Sequence, residues 1–194
     1  MNLSDSIDAT RKDLLALLRG KSVFHGDFML SSGAKSKYYI DCRLTTLDGR
    51  GAWLIGRLMH DLIRREEKKR NVKVDAVGGL TMAADPVALA TGMVSSVAKD
   101  AEPLRIFCVR KAPKEHGKTK QIEGNFKAGD SVVIVDDVVT SGGSIITAIE
   151  AVKREGGKVA FAVVLVDRLE GGREKVEATG CPLFSLFQRE ELLS

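Results

Sequence analysis

The chain has 194 residues, 44% of them hydrophobic, which is enough for one core with a modest appendage. Its longest apolar run, residues 159–166, is far short of the ~20 needed to span a membrane, and Met1-Asn2-Leu3-Ser4-Asp5 lacks a basic region followed by an apolar stretch, so neither a membrane span nor secretion is expected. The net charge of +4 does not mark a nucleic-acid binder: residues 110–120 hold five basic residues and one acid, leaving 25 of each sign elsewhere, which suits a compact polyanion rather than a long duplex.

Along the chain, residues 4–19 carry Ile7, Leu14, Leu15, Leu17 and Leu18 at helical spacing and stop at Gly20. Residues 23–41 read as short β pieces around the turn Ser31-Ser32-Gly33. Residues 49–69 form a long amphipathic helix whose charged end, Arg64 to Arg70, is solvated. A strand over 72–77 leads through the loop Gly78-Gly79-Leu80-Thr81-Met82-Ala83 to Asp85-Pro86, a cap and first position for a helix reaching about Ala98. A strand over 104–109 precedes some twenty polar residues without periodicity. Strands over 132–135 and 159–166 then flank a helix over 144–155. This alternation predicts an α/β fold, a central parallel sheet flanked by helices. Residues 1–45 would form an N-terminal helix and cap, and residues 46–194 the core. The three cysteines, Cys42, Cys108 and Cys181, are widely spaced with no C-x-x-C pair, which argues against a disulfide framework or zinc site and for a cytoplasmic location.

The chemistry concentrates in Val132-Val133-Ile134-Val135-Asp136-Asp137-Val138-Val139-Thr140-Ser141-Gly142-Gly143-Ser144. A buried strand is expected to end on two acids, followed by small residues and a helix start. At the carboxyl end of a parallel strand such a loop can close its amides around a phosphate, aided by the helix N-terminus. Thr140, Ser141 and Ser144 add hydroxyl donors, and the two acids need a sugar or a metal to face. Neither G-x-x-x-x-G-K-[ST] nor G-x-G-x-x-G occurs.

This segment resembles the phosphoribosyl pyrophosphate (PRPP) signature of the type I phosphoribosyltransferases. The resemblance implies that residues 140–144 hold the 5-phosphate and that Asp136 and Asp137 face the ribose hydroxyls, with Val138 and Val139 in the same loop. Arg110-Lys111-Ala112-Pro113-Lys114-Glu115-His116-Gly117 resembles the R-K-x-x-K-x-H-G lid of the orotate phosphoribosyltransferases. That implies a mobile lid over about 110–128 that enters the partner's active site in a homodimer. Phe28 to Tyr39 is similar to that family's hood segment, although Tyr38 and Tyr39 suit a core equally well. Arg168, just past the strand over 159–166, matches the arginine that faces the orotate carboxylate, with Thr140 beside it.

The implied reaction joins orotate and PRPP to give orotidine 5-monophosphate and pyrophosphate, a step of pyrimidine nucleotide synthesis. Lys114, His116, Arg110 and Asp137 are then the expected catalytic residues, and Arg110, Lys111, Lys114 and His116 also bind PRPP. Mg2+ is expected as cofactor, bound mainly through PRPP oxygens with no direct protein ligand. Gly78 to Ala83 matches the pyrophosphate loop in position. Some relatives carry lysines where this chain has Ser31 and Met82-Ala83, so activity here should depend more on the lid cations and on magnesium. Two rivals are a transferase for uracil or a purine, which would not need Arg168, and a PRPP-sensing regulator, which would need a nucleic-acid-reading element. His25 and His60 are expected to be structural or surface residues.

Overall fold

The computed structural model describes residues 6–29, 35–99, 101–112 and 120–194. Helix α1 (Ile7–Lys21) is opened by Ser6, whose hydroxyl accepts from the Ala9 amide, and buries Leu14 and Leu18. Strands β1 (Val23–Met29) and β2 (Lys35–Ile40) pair antiparallel as a two-stranded sheet of their own. One helical turn, α2 (Arg43–Thr46), leads into α3 (Gly49–Arg70). The Asp48 carboxylate caps α3 through the Gly51 amide, and left-handed Asn71 closes it.

Strands and helices then alternate: β3 (Ala76–Leu80), α4 (Ala84–Ala98), β4 (Arg105–Val109), β5 (Ile122–Gly124), β6 (Ser131–Val139), α5 (Gly143–Arg154), β7 (Lys158–Asp167), α6 (Gly172–Glu177), β8 (Leu183–Gln188) and α7 (Arg189–Leu193). The six-stranded sheet has the order β5-β4-β3-β6-β7-β8, with every neighbouring pair parallel except β4 and β5. The expected α/β class with a central parallel sheet is therefore what the chain adopts. Parallel strands require crossovers whose helices cover both faces, so the central strands are apolar along their length. On one face Leu54, Ile55 and Met59 of α3, Val87 of α4 and Leu14 and Leu18 of α1 pack against Val133, Val135 and Val163. On the other, Ile145, Ile149 and Val152 of α5 pack against Val132, Ile134 and Val164. Truncating a fully buried side chain such as Ile149 to alanine would cost about 2–5 kcal/mol. No helix among the described residues is long and apolar enough to cross a membrane.

Three local differences from the sequence reading bear on the site. Strand β6 continues through the acidic pair to Val139, because Val138 and Val139 pair with Val166 and Asp167 of β7. Gly78 and Gly79 belong to β3 rather than to the following loop. A Cβ on Gly78 would stand 2.2 Å from the Phe107 carbonyl oxygen, and one on Gly79 would stand 2.1 Å from that of Val135. Those glycines serve the close approach of neighbouring strands. Helix α4 begins at Ala84, so Asp85 sits in its first turn instead of capping it and accepts from the Thr81 hydroxyl at 2.6 Å.

Candidate active site

Because β3, β4, β6 and β7 run parallel, the segments that follow Leu80, Val109, Val139 and Asp167 emerge at one edge of the sheet. Ligands of open α/β sheets bind at this edge. Asp136 is only 3% exposed, and its Oδ1 accepts the Asp137 amide at 3.0 Å. Burial pushes the Asp136 carboxyl up to about 8; the neighbouring Asp137 charge adds to this, and the Asp137 amide opposes it. Asp137 is also raised by burial, but its own amide, that of Val138 and the charge of Arg43 work in the opposite direction. The two adjacent acids thus have separate environments. Both carboxyls are raised by burial, Asp136 up to about 8, while at Asp137 the amides and Arg43 offset part of the rise.

After Val139 the chain turns through residues 140–142 into α5. Gly142 takes the left-handed conformation (φ 79°), which glycine adopts without penalty, and contributes no side-chain cap to α5. A cavity of about 110 Å³ opens here, lined by Asp136 and residues 138–145. Cavities for whole ligands run to ~300–1,000 Å³, so this one suits an end group such as a phosphate. The opening amides and partial positive charge of α5 favour an anion in it.

Arg168 is held against this loop by its backbone: its amide donates to the Val139 carbonyl at 3.1 Å. A Cβ on Gly172, at the start of α6, would lie 2.4 Å from the Thr140 carbonyl oxygen, so the segment after β7 packs backbone to backbone on the turn after β6. Thr140 and Arg168 are thereby brought together. Arg168 Nη2 pairs with Glu170 Oε1 at 2.9 Å, whereas its buried Nε has no hydrogen-bond partner. Asp167 is committed elsewhere, accepting from the Leu169 amide and from Arg173 Nε at 2.7 Å. Arg168 and Asp167 are therefore not a surface pair.

A third segment reaches the rim unforeseen. Arg43 donates to both Asp41 oxygens at 2.8 Å, and this hydrogen bonding holds the Asp41 carboxyl below its ordinary range. Cys42 between them is 2% exposed; burial pushes its thiol well up, reinforced by the charges of Asp137 and Asp41 and opposed by Arg168. The only trace of this in the sequence is an acid and a base two residues apart, a common surface pattern.

The other expected residues fall as follows. Thr81 gives its amide to the Val109 carbonyl at 2.8 Å, so this amide of the expected pyrophosphate loop is not available to a ligand. Arg110 and Lys111 are exposed directly after β4, and Arg110 Nη1 lies 3.7 Å from Glu123 Oε1. Lys114 and His116 lie outside the described residues, as do Ser31, Ser32 and Gly33 of the expected hood turn. Tyr39 stacks obliquely on Phe28 at 5.7 Å between ring centroids, and Tyr38 packs on the core. His60 is buried and accepts from Arg64 Nε at 3.3 Å, a structural role.

Residues 55–183 match the phosphoribosyl transferase domain family. The orotate phosphoribosyltransferase of Aquifex aeolicus is 42% identical over 186 residues, covering 94% of this chain and 97% of the relative. The crystal structure of the Mycobacterium tuberculosis orotate phosphoribosyltransferase with Fe(III) dicitrate superposes with a TM-score of 0.80 at 39% identity, covering 94% of this chain and 98% of that one. The same enzyme in complex with PRPP gives a TM-score of 0.77 at 36% identity, covering 95% and 99%.

Proposed function

The chain belongs to the orotate phosphoribosyltransferases of the phosphoribosyltransferase family, and we propose that it transfers the 5-phosphoribosyl group from PRPP to N1 of orotate. The products are orotidine 5-monophosphate and pyrophosphate, a step of pyrimidine nucleotide synthesis. The observation that carries this reading is the junction of two features on one rim. The cradle over residues 138–145 suits a sugar phosphate, and Arg168 beside it presents a buried Nε with no partner. A buried donor left unpaired is costly, and a carboxylate such as that of orotate would satisfy it with a charge-assisted bond. Uracil and the purines have no carboxylate to offer.

In this account residues 140–144 grip the 5-phosphate, and Thr140 also touches orotate. Asp136, neutral below about pH 8, can donate to or accept from a ribose hydroxyl, and Asp137 places a second carboxyl near the ribosyl centre. As the bond from C1 to pyrophosphate breaks and that to orotate N1 forms, positive charge grows on the sugar and negative charge on the leaving group. Catalysis then consists of holding the reactants in line and matching those charges. Arg110, Lys111, Lys114 and His116 would bring cationic side chains to the departing pyrophosphate, with His116 donating a proton to it. Such contacts stabilise the transition state more than the ground state.

Among the described residues no group of three or more His, Cys, Asp or Glu side chains could cage a metal ion. Mg2+ would arrive bound to PRPP oxygens and water, where it would neutralise charge on the leaving group. A homodimer with a shared lid fits the surface of α4: Leu89, Met93 and Val97, four residues apart, leave an apolar stripe exposed on one face. Three unpaired cysteines agree with a cytoplasmic home. Residues 1–45 would act as the helix and hood over a core of residues 46–194.

Side-by-side assays of orotate, uracil and hypoxanthine with PRPP and Mg2+ test the assignment. Turnover of orotate alone is expected. Turnover of hypoxanthine without orotate would overturn the acceptor, and no turnover of any would favour a PRPP-sensing regulator.

A further inference from the structure

Gln121 is 7% exposed, and all of its polar groups are engaged. Its carbonyl accepts the Arg110 amide at 2.9 Å, and its Nε2 donates to the Arg110 carbonyl at 2.8 Å. Its Oε1 accepts from Arg154 Nη1 at 2.7 Å, and its amide donates to Glu155 Oε1 at 2.7 Å. Glu155 Oε1 also takes the Ile122 amide at 3.0 Å. The β4–β5 ladder pairs Val109 with Ile122, so Arg110 and Gln121 would form its next rung. Gln121 completes that rung with its side chain, because its amide is drawn off to Glu155. Both backbone polar groups of Arg110 thus end on one buried glutamine, which residues at the end of α5 fix in place.

We propose that Gln121 is a positioning residue for the reaction: through its side-chain bond to the Arg110 carbonyl, backed by Arg154 and Glu155, it sets the direction in which Arg110 leaves the sheet edge. This rests on the reading that Arg110 faces the departing pyrophosphate. The geometry has two consequences. Arg110 begins the basic segment, so a rotation of its peptide would redirect its guanidinium and the chain after it. The support also comes from α5, whose opposite end forms the phosphate cradle, so one rigid helix relates the grip on the sugar phosphate to the start of the basic segment. A misplacement of about 1 Å in a charged group can cost much of its transition-state effect.

The test is a kinetic double-mutant cycle in the full-length protein with orotate, PRPP and Mg2+. Gln121→Met keeps the side chain's length and apolar contacts but removes both of its hydrogen-bonding atoms. It should lower kcat about tenfold while leaving the orotate KM nearly unchanged, in line with loss of the buried bond to the Arg110 carbonyl and of its support from Arg154. In an Arg110→Ala background the same change should have no further effect on kcat. Arg154→Met, at an exposed residue, removes only the outer support and should give a smaller fall in kcat that also vanishes in that background; it serves if Gln121→Met fails to fold. Equal losses in both backgrounds, or wild-type kcat in both single variants, would overturn the positioning role. Full activity in Arg110→Ala alone would instead overturn the reading of Arg110, a result obtained separately from those of Gln121.

Discussion

The backbone amide of Arg168 donates to the carbonyl of Val139 at 3.1 Å, so the arginine proposed to read the acceptor base is registered to the first turn of the phosphate loop. The two proposed substrate sites thus lie at neighbouring ends of two paired strands, β6 and β7. Changing the side chain of Arg168 should leave that backbone registry in place. Arg168→Ala is expected to raise the orotate KM roughly 10- to 100-fold, the range of one lost charge-assisted hydrogen bond, with little change in the PRPP KM. Steady-state kinetics with each substrate varied in turn would check this. An unaltered orotate KM would mean that the carboxylate is held elsewhere.

Asp136 links the site to pH-dependent stability. Its carboxyl stands at about 8 when folded and near 4 when unfolded, so the native state holds a proton that the unfolded chain releases between those values. Its contribution is therefore full below about pH 4 and is lost as pH rises to about 8. Asp136→Asn removes the ionisation, so its melting temperature should vary less over this window and exceed wild type at pH 7 by at least ~2 °C. Parallel thermal melts at pH 5 and pH 8 would show it. An equal pH dependence in both proteins would contradict the burial argument.

The contact of α6 with the phosphate loop permits almost no added volume. Gly172→Ala would place a Cβ 2.4 Å from the Thr140 carbonyl oxygen, and both partners are backbone. Overpacking of this kind costs about 1–3 kcal/mol, so a lower melting temperature and about tenfold weaker PRPP binding are expected. Calorimetry on the purified variant measures both. Undiminished PRPP affinity would show that the loop tolerates displacement from α6.

Met93 lies at the centre of the exposed stripe on α4, between Leu89 and Val97. Met93→Lys puts a charge where an apolar dimer contact is proposed and should shift the protein from dimer to monomer in sedimentation at micromolar concentration. If the lid is shared, activity should fall with the dimer. A variant that remains dimeric would place the interface on another surface.

Much of this architecture was legible in the sequence because long periodic segments leave few alternatives. The apolar face of α3, the β-branched run of β6 and the helix after Gly142 lie close to where periodicity and turn chemistry put them. The end of β6 departs from the sequence pattern for a physical reason: carboxylates are seldom buried, so Asp136 and Asp137 look like a strand's end, yet Val138 and Val139 continue the ladder with β7. Gly78 and Gly79 read as loop punctuation because the need for close approach to Phe107 and Val135 is tertiary. Helices α2, α6 and α7 and strand β5 are too short for any period to register. At the candidate site, the proposed phosphate loop could be read from local pattern and Arg168 through the resemblance to the family. Arg43 and Gln121 could not, since each matters only through partners distant in the chain: Asp137 for the first, Arg154 and Glu155 for the second.

The proposed grip of the segment after Val135 on a sugar phosphate is tested most directly by calorimetric titration of PRPP with Mg2+. Wild type should bind, and a variant carrying both Asp136→Asn and Asp137→Asn should stay folded at neutral pH yet bind at least ~100-fold more weakly. Equal affinity in the two proteins, or no binding by wild type, would contradict it.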